Sequence, residues 1–232
     1  MSLYGQEGDD TYDFRFYYGT VFAENLGEGI DTIIMGQNNF VLPENFENLV
    51  LVRSALHGIG NEEDNNISVS DFGSFTLEGK GGNDTLRGGL GNDILHGGEG
   101  NDILYADIGG DTLYGGNDQD TLVVGLDSNT LYGGNDADVF AFQWVDAINR
   151  IKDFNSTEGD KIDISSLLVG YDSVSSAIAD FLSITADGAN SVVNVDRDGA
   201  GTVHAMQQIA IVESAVVTND DVTMNNMASI IA

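Results

Sequence analysis

The chain has 232 residues, with eight Lys and Arg against thirty-eight Asp and Glu and a formal net charge of −30. That balance excludes nucleic acid as a partner, because phosphate binding needs a basic stripe, and it disfavours an anionic membrane surface. Hydrophobic residues nevertheless make up 41% of the chain, too many for an acidic disordered tail, so a core must coexist with carboxylates that repel one another.

There is no cysteine, which excludes disulfides and thiolate metal sites. No stretch approaches ~18 consecutive apolar residues, so no membrane span is expected. The opening MSLYGQEGDD has neither a basic region nor an apolar run and is not a secretory signal peptide. Met1–Leu3 read as an added leader, and the natural protein is expected to extend upstream.

In chain order, residues 5–12 (GQEGDDTY) read as an acidic glycine turn leading into a strand, with Asp10 and Tyr12 two positions apart. Residues 26–33 (LGEGIDTI) repeat that frame with Asp31 and Ile33. Between them FRFYY, Phe14–Tyr18, alternates as strand residues facing a core do. FVLPENFENLVLV and GNEEDNNI follow, the second with Asn65 where the frame has Asp.

From Gly79 to Ala141 the frame becomes strict: seven consecutive nonapeptides without insertion, from GKGGNDTLR to GGNDADVFA. The sixth position is Asp84, Asp93, Asp102, Asp111, Asp120, Asn129 and Asp138, and the eighth is Leu six times and then Phe140. A flexible linker does not hold an apolar residue in fixed phase. Glycines at the first, second and fourth positions allow positive φ and tight turns, and the last residues favour a short strand with its apolar side chain inward. Nine residues then make a turn and a strand, and stacked coils place repeat n over repeat n+2. Two carboxylates meet in adjacent turns beside several carbonyl oxygens, an oxygen cage suited to Ca²⁺. The expected pairs are Asp84 with Asp102, Asp93 with Asp111, Asp102 with Asp120, Asp111 with Asn129, and Asp120 with Asp138.

The repeats GGLGNDILH and GGEGNDILY match G-G-x-G-x-D-x-U-x at every defined position, and the segment resembles the RTX (repeats-in-toxin) family. The resemblance implies an all-β fold, a right-handed parallel β-roll holding several calcium ions. It implies as ligands the sixth-position side chains and the turn backbone at Gly82, Asn83, Gly89, Gly91, Asn92, Gly98, Gly100, Asn101, Gly116 and Gly134. Asp10 and Asp31 are candidates in the irregular frames upstream. Asn129 lacks a charge, so its site should bind more weakly, and Ala106 and Val124 replace the leading glycine of their repeats.

Periodicity stops at Phe140. INRIKDFNSTEGDKIDISSLL reads as two strands around a Gly-Asp turn, SVSSAIADFL as a short helix, and residues 191–212 as two strands around Asp196–Gly201. That turn reads as a β-hairpin rather than a calcium loop, since the remaining EF-hand ligands are absent. Asp160 and Asp163 are either cap ligands or solvated turn carboxylates. This order resembles the C-terminal target region of type I secretion substrates, found in RTX adhesins and some secreted enzymes. It implies a β-rich cap over the open end of the roll, with Phe142 and Trp144 as the plug.

Three segments are expected: 4–78 as an irregular extension of the roll, 79–141 as the roll, and 142–232 as cap and secretion target. His57, His96 and His204 are scattered, and neither HExxH nor GxSxG occurs, so the chain is not read as an enzyme. A catalytic domain upstream remains open. The expectation is a calcium-folded module of a larger bacterial protein, exported through the type I machinery to the cell surface or beyond; the alternative is a calcium-dependent adhesive or ligand-binding module.

Overall fold

The computed structural model describes residues 2–4, 7–15, 21–25, 27, 29–52, 56–168, 178–199 and 205–224. The fold is an all-β parallel solenoid in which two ten-stranded sheets face each other. The first sheet runs from Thr11–Phe14 through Thr85–Arg87, Ile103–Tyr105 and Thr121–Val124 to Lys161–Asp163 and Val222–Thr223. The second includes Thr76–Gly81, Ile94–Glu99, Thr112–Asn117 and Thr130–Gly134. Successive strands of the chain alternate between them through the repeats.

The local reason is visible in the last three positions of each repeat. The seventh is always Thr, Ile or Val, β-branched residues that favour extended backbone. The eighth points inward, and the period of two sends its neighbours outward. Leu86, Leu104, Leu122 and Phe140 stack in register along one wall, and Leu77, Leu95, Leu113 and Leu131 along the other. All eight are 0% exposed. Burying each Leu contributes roughly 1.5–3 kcal/mol, so these columns supply the main apolar drive.

Both sheets run unbroken past positions 78 and 141. Upstream, the partners Thr11–Thr32, Thr32–Asn48 and Asn66–Thr85 are 21, 16 and 19 residues apart, so the coil length varies around the 18 of the repeats. Downstream, Val139 pairs with Lys161 and Thr130 with Arg150. Asn190–Val195 pairs antiparallel with both Gln207–Val212 and Leu182–Asp187, so strands flank Asp196 on either side as the hairpin reading requires. Residues 200 and 201 of that turn lie outside the described residues, as do 202–204 after it and Phe16–Tyr18 of FRFYY. Of the expected helix only Ile178–Phe181 is described as helical; residues 173–177 fall outside.

One expectation is corrected here. Phe142 is 1% exposed inside the roll, but Trp144 is 50% exposed and plugs nothing. The strand ends at Phe142, so the alternation that carries Phe140 and Phe142 inward does not reach Trp144. Among the described residues no helix is long and apolar enough to cross a membrane.

Candidate metal centre

The turns lie along the two flanks of the solenoid, where the chain crosses between sheets. The first, third, fifth and seventh repeats turn on one flank, which we call flank A, and the second, fourth and sixth on the other, flank B. Positive φ recurs at the second and fourth positions, as at Gly98 (127°) and Gly100 (110°). Asp118, Asp127 and Asp136 occupy the fourth position with φ near 70°, a conformation that Asp tolerates better than most residues.

The first position does not take positive φ, and its glycine has a different cause. A Cβ on Gly97 would stand 2.2 Å from Asp102 Oδ2 and 2.5 Å from the Gly115 carbonyl oxygen. On Gly115 it would meet Asp120 Oδ2 at 2.3 Å and the Gly133 carbonyl at 2.5 Å; on Gly79, Asp84 Oδ2 at 2.0 Å and the Gly97 carbonyl at 2.7 Å. A carboxylate oxygen and a carbonyl oxygen from adjacent turns therefore converge on the space that a side chain would fill. Gly97→Ala is accordingly expected to cost about 1–3 kcal/mol by overpacking and to raise the calcium midpoint in a titration followed by circular dichroism. Ala106→Gly should leave that midpoint nearly unchanged.

Each sixth-position carboxylate divides its two oxygens. Oδ1 accepts the backbone amide of the coil before it: Asp84 donates to Asp102 at 2.7 Å, Asp102 to Asp120 at 2.8 Å and Asp120 to Asp138 at 3.0 Å. On flank B Asp93 donates to Asp111 at 2.7 Å and Asp111 to Asn129 at 2.8 Å. The pairing of n with n+2 is thus a hydrogen-bonded ladder. The Oδ2 atoms of Asp84, Asp93, Asp102, Asp111, Asp120 and Asp138 are buried with no hydrogen-bond partner, in residues no more than 1% exposed.

Leaving such an oxygen unmatched costs about 1–3 kcal/mol, and more when it is charged. Burial accordingly pushes these carboxyls up, with neighbouring acids adding to the effect: Asp93 to about 6, Asp84, Asp102, Asp111 and Asp138 to about 7, and Asp120 to about 8. Oxygen-only donors, anionic and orphaned beside converging carbonyls, fit a hard cation such as Ca²⁺.

The remaining predicted positions fall around this row. Asn83, Asn92 and Asn101 turn their side chains outward, where Asn83 Oδ1 accepts the Asn101 amide and Asn92 Oδ1 the Gly110 amide. The Gly89 and Gly116 carbonyls accept the amides of Ile108 and Asn135. Gly82, Gly91 and Gly134 sit in the turns with positive φ. Asp10 donates its amide to Asp31 Oδ1 at 2.8 Å, and ligand atoms of Asp10, Glu24 and Asp31 lie within 4.8 Å of one another.

Sequence reasoning missed Glu24 and the first-position carbonyls of Gly97, Gly115 and Gly133, since no side-chain pattern marks a carbonyl. Asp160 extends the flank A ladder by accepting the Asp138 amide, but its Oδ2 is taken by the Asn155 amide at 2.8 Å. Asp163 accepts the Ser165 amide outside the row. Two histidines are engaged elsewhere: His57 meets Asn39 and Glu78, and His96 stacks on Tyr114. His204 lies outside the described residues.

Fold and site together define a parallel β-roll with buried acidic turns. Residues 78–113 and 114–142 each match the family model of the RTX calcium-binding nonapeptide repeat, a model of four repeat copies. The chain thus carries an RTX β-roll, and its cofactor is Ca²⁺, several ions to the module. It is 39% identical over 69 residues to an endo-1,3-1,4-β-glycanase (ExsH) of Rhizobium meliloti strain 1021, a match covering 29% of this chain and 14% of that relative. It also aligns with the solution structure of a subunit of the Azotobacter vinelandii mannuronan C5-epimerase, at 22% identity and a TM-score of 0.34, over 65% of this chain and 82% of that one.

Proposed function

We propose that the chain is the calcium-responsive folding module of a larger secreted bacterial protein, and that the orphaned Oδ2 row is its switch. Asp84, Asp102, Asp120 and Asp138 would hold ions with the first-position carbonyls on flank A, and Asp93 with Asp111 on flank B. Asp10, Asp31 and Glu24 form a separate candidate site upstream. Bound Ca²⁺ supplies the positive charge and oxygen coordination that these groups lack. Without it the ionised carboxylates repel and the glycine turns cost too much entropy to order.

That property suits export through a type I channel. The chain stays open in a low-calcium cytosol and folds outside, where calcium-binding modules operate at ~10⁻⁴–10⁻³ M. Residues 142–232 would act as cap and secretion target, 79–141 as the switch and 4–78 as its extension. Catalysis, if the parent protein has any, belongs to another part of it. The glycanase relative favours such a division, since its similarity is confined to 14% of that enzyme.

The carrying observation is the set of six buried carboxylate oxygens without partners, and the test is their unequal weight. Asp102 and Asp120 each adjoin two acidic ladder neighbours, whereas Asp84 adjoins Asn65 on one side. Asp102→Asn and Asp120→Asn should therefore raise the calcium midpoint of folding more than Asp84→Asn. Equal midpoints for all three would defeat the shared-ligand arrangement.

A further inference from the structure

Resting on that calcium-binding reading, we infer that the ions of the repeat coils are divided unequally: flank A carries the calcium row, while flank B holds a single site among the described residues of the repeats and is otherwise closed there by the protein itself. Four orphaned carboxylates on flank A (Asp84, Asp102, Asp120 and Asp138) make three adjacent pairs; two on flank B (Asp93 and Asp111) make one.

The first position separates the flanks in the same sense. On flank A it is Gly79, Gly97, Gly115 and Gly133, and at the first three a carbonyl joins the carboxylate in the open space. On flank B only Gly88 is open, and the nearest atoms to its missing Cβ all belong to Asp93, with Oδ2 at 2.7 Å and no carbonyl among them. The next two coils put Ala106 and Val124 there, both 0% exposed members of the core. Aliphatic carbon thus fills the space that carboxylate and carbonyl share on the other flank.

The ends of the flank B ladder are closed without charge. Asn129 accepts the Asp111 amide and donates to the Asp127 carbonyl and Asn149 Oδ1. Asn149 in turn donates to the Ala147 and Ile209 carbonyls. Before Asp93 the ladder position is Phe75, whose amide binds Asp93 Oδ1 at 2.7 Å. An Asn satisfies its neighbours with its own amide protons, so these coils order with no ion. The third positions follow suit: Phe72, Leu90, Ile108 and Leu126 pair along flank B, against Glu99, Asn117 and Asn135 on flank A.

The test counts bound ions on the full chain, by equilibrium dialysis with radioactive calcium at saturation, with circular dichroism reporting the fold. Asp93→Asn/Asp111→Asn breaks the one flank B pair and should lose one ion; Asp102→Asn/Asp120→Asn touches all three flank A pairs and should lose three. A gain-of-site variant stands beside the second, so that a failure to fold does not decide the test. Val124→Ala/Asn129→Asp copies the Ala106 and Asp111 pattern one coil further on and should bind one ion more than the parent. Equal losses from the two double variants, or no gain from the third, would overturn the unequal division while leaving calcium binding intact. A parent chain that bound no calcium would instead overturn the functional reading.

Discussion

Stripped of calcium at pH 8, the chain is expected to lose the β signal of its repeat coils in far-ultraviolet circular dichroism, and calcium at ~10⁻⁴–10⁻³ M is expected to restore it cooperatively. The magnitude follows from the ladder. Neighbouring coils stand about 4.8 Å apart, and two carboxylates at that spacing repel by about 3 kcal/mol at an effective dielectric constant of ~20. Three such pairs on flank A alone approach the whole stability of an ordinary domain, about 5–15 kcal/mol. The leucine columns are therefore not expected to hold ionised coils together unaided. Magnesium should be a poor substitute, because it demands a tight octahedron and gives up water reluctantly. A spectrum already complete after chelation and unchanged by calcium would mean that the roll is independent of metal.

The second large effect concerns protons. In the metal-free chain, burial raises the six ladder carboxyls to between about 6 for Asp93 and about 8 for Asp120, above the usual value near 3.8. An acid whose pKa is higher in the fold than in the open chain binds its proton more tightly when folded. Its contribution is full below pH ~4 and is lost as pH rises through the folded value. Calcium-depleted protein should therefore keep its repeat coils folded to a higher temperature at pH 5 than at pH 8, where they are expected to be largely open already. Calcium binding near pH 7 should release protons, detectable as a buffer-dependent heat in titration calorimetry. Asp102→Asn/Asp120→Asn should flatten the pH dependence of melting, which a general fall in net charge would not explain. A metal-free chain that melted higher at pH 8 would contradict the assignment.

Legibility in the sequence followed the side-chain phase. Asp102 and Leu104 are two residues apart on a strict period of nine, and that alone implies a carboxylate in the turn and an apolar side chain in the core. The upstream frames of Asp10 and Asp31 could be read as repeats, but their coil lengths could not, because insertions in the turns leave the strand pattern intact. Trp144, expected with Phe142 to plug the roll, stays outside because the strand that carries Phe142 inward ends there, a boundary the sequence does not mark. The leading glycine was legible as a requirement but not in its cause: positive φ belongs to Gly98 and Gly100, while Gly97 is glycine because oxygens occupy its side-chain space.

By itself the sequence determined that this protein is an all-β roll of nonapeptide coils whose turns suit a hard cation, since composition, charge and a fixed nine-residue phase are local properties of the chain. Only the tertiary structure decided which oxygens are left without partners, that the Gly97, Gly115 and Gly133 carbonyls join them, and that the two flanks differ. Those facts depend on contacts between residues about eighteen positions apart, where a single buried Val124 or Asn129 changes what the adjoining coils can hold.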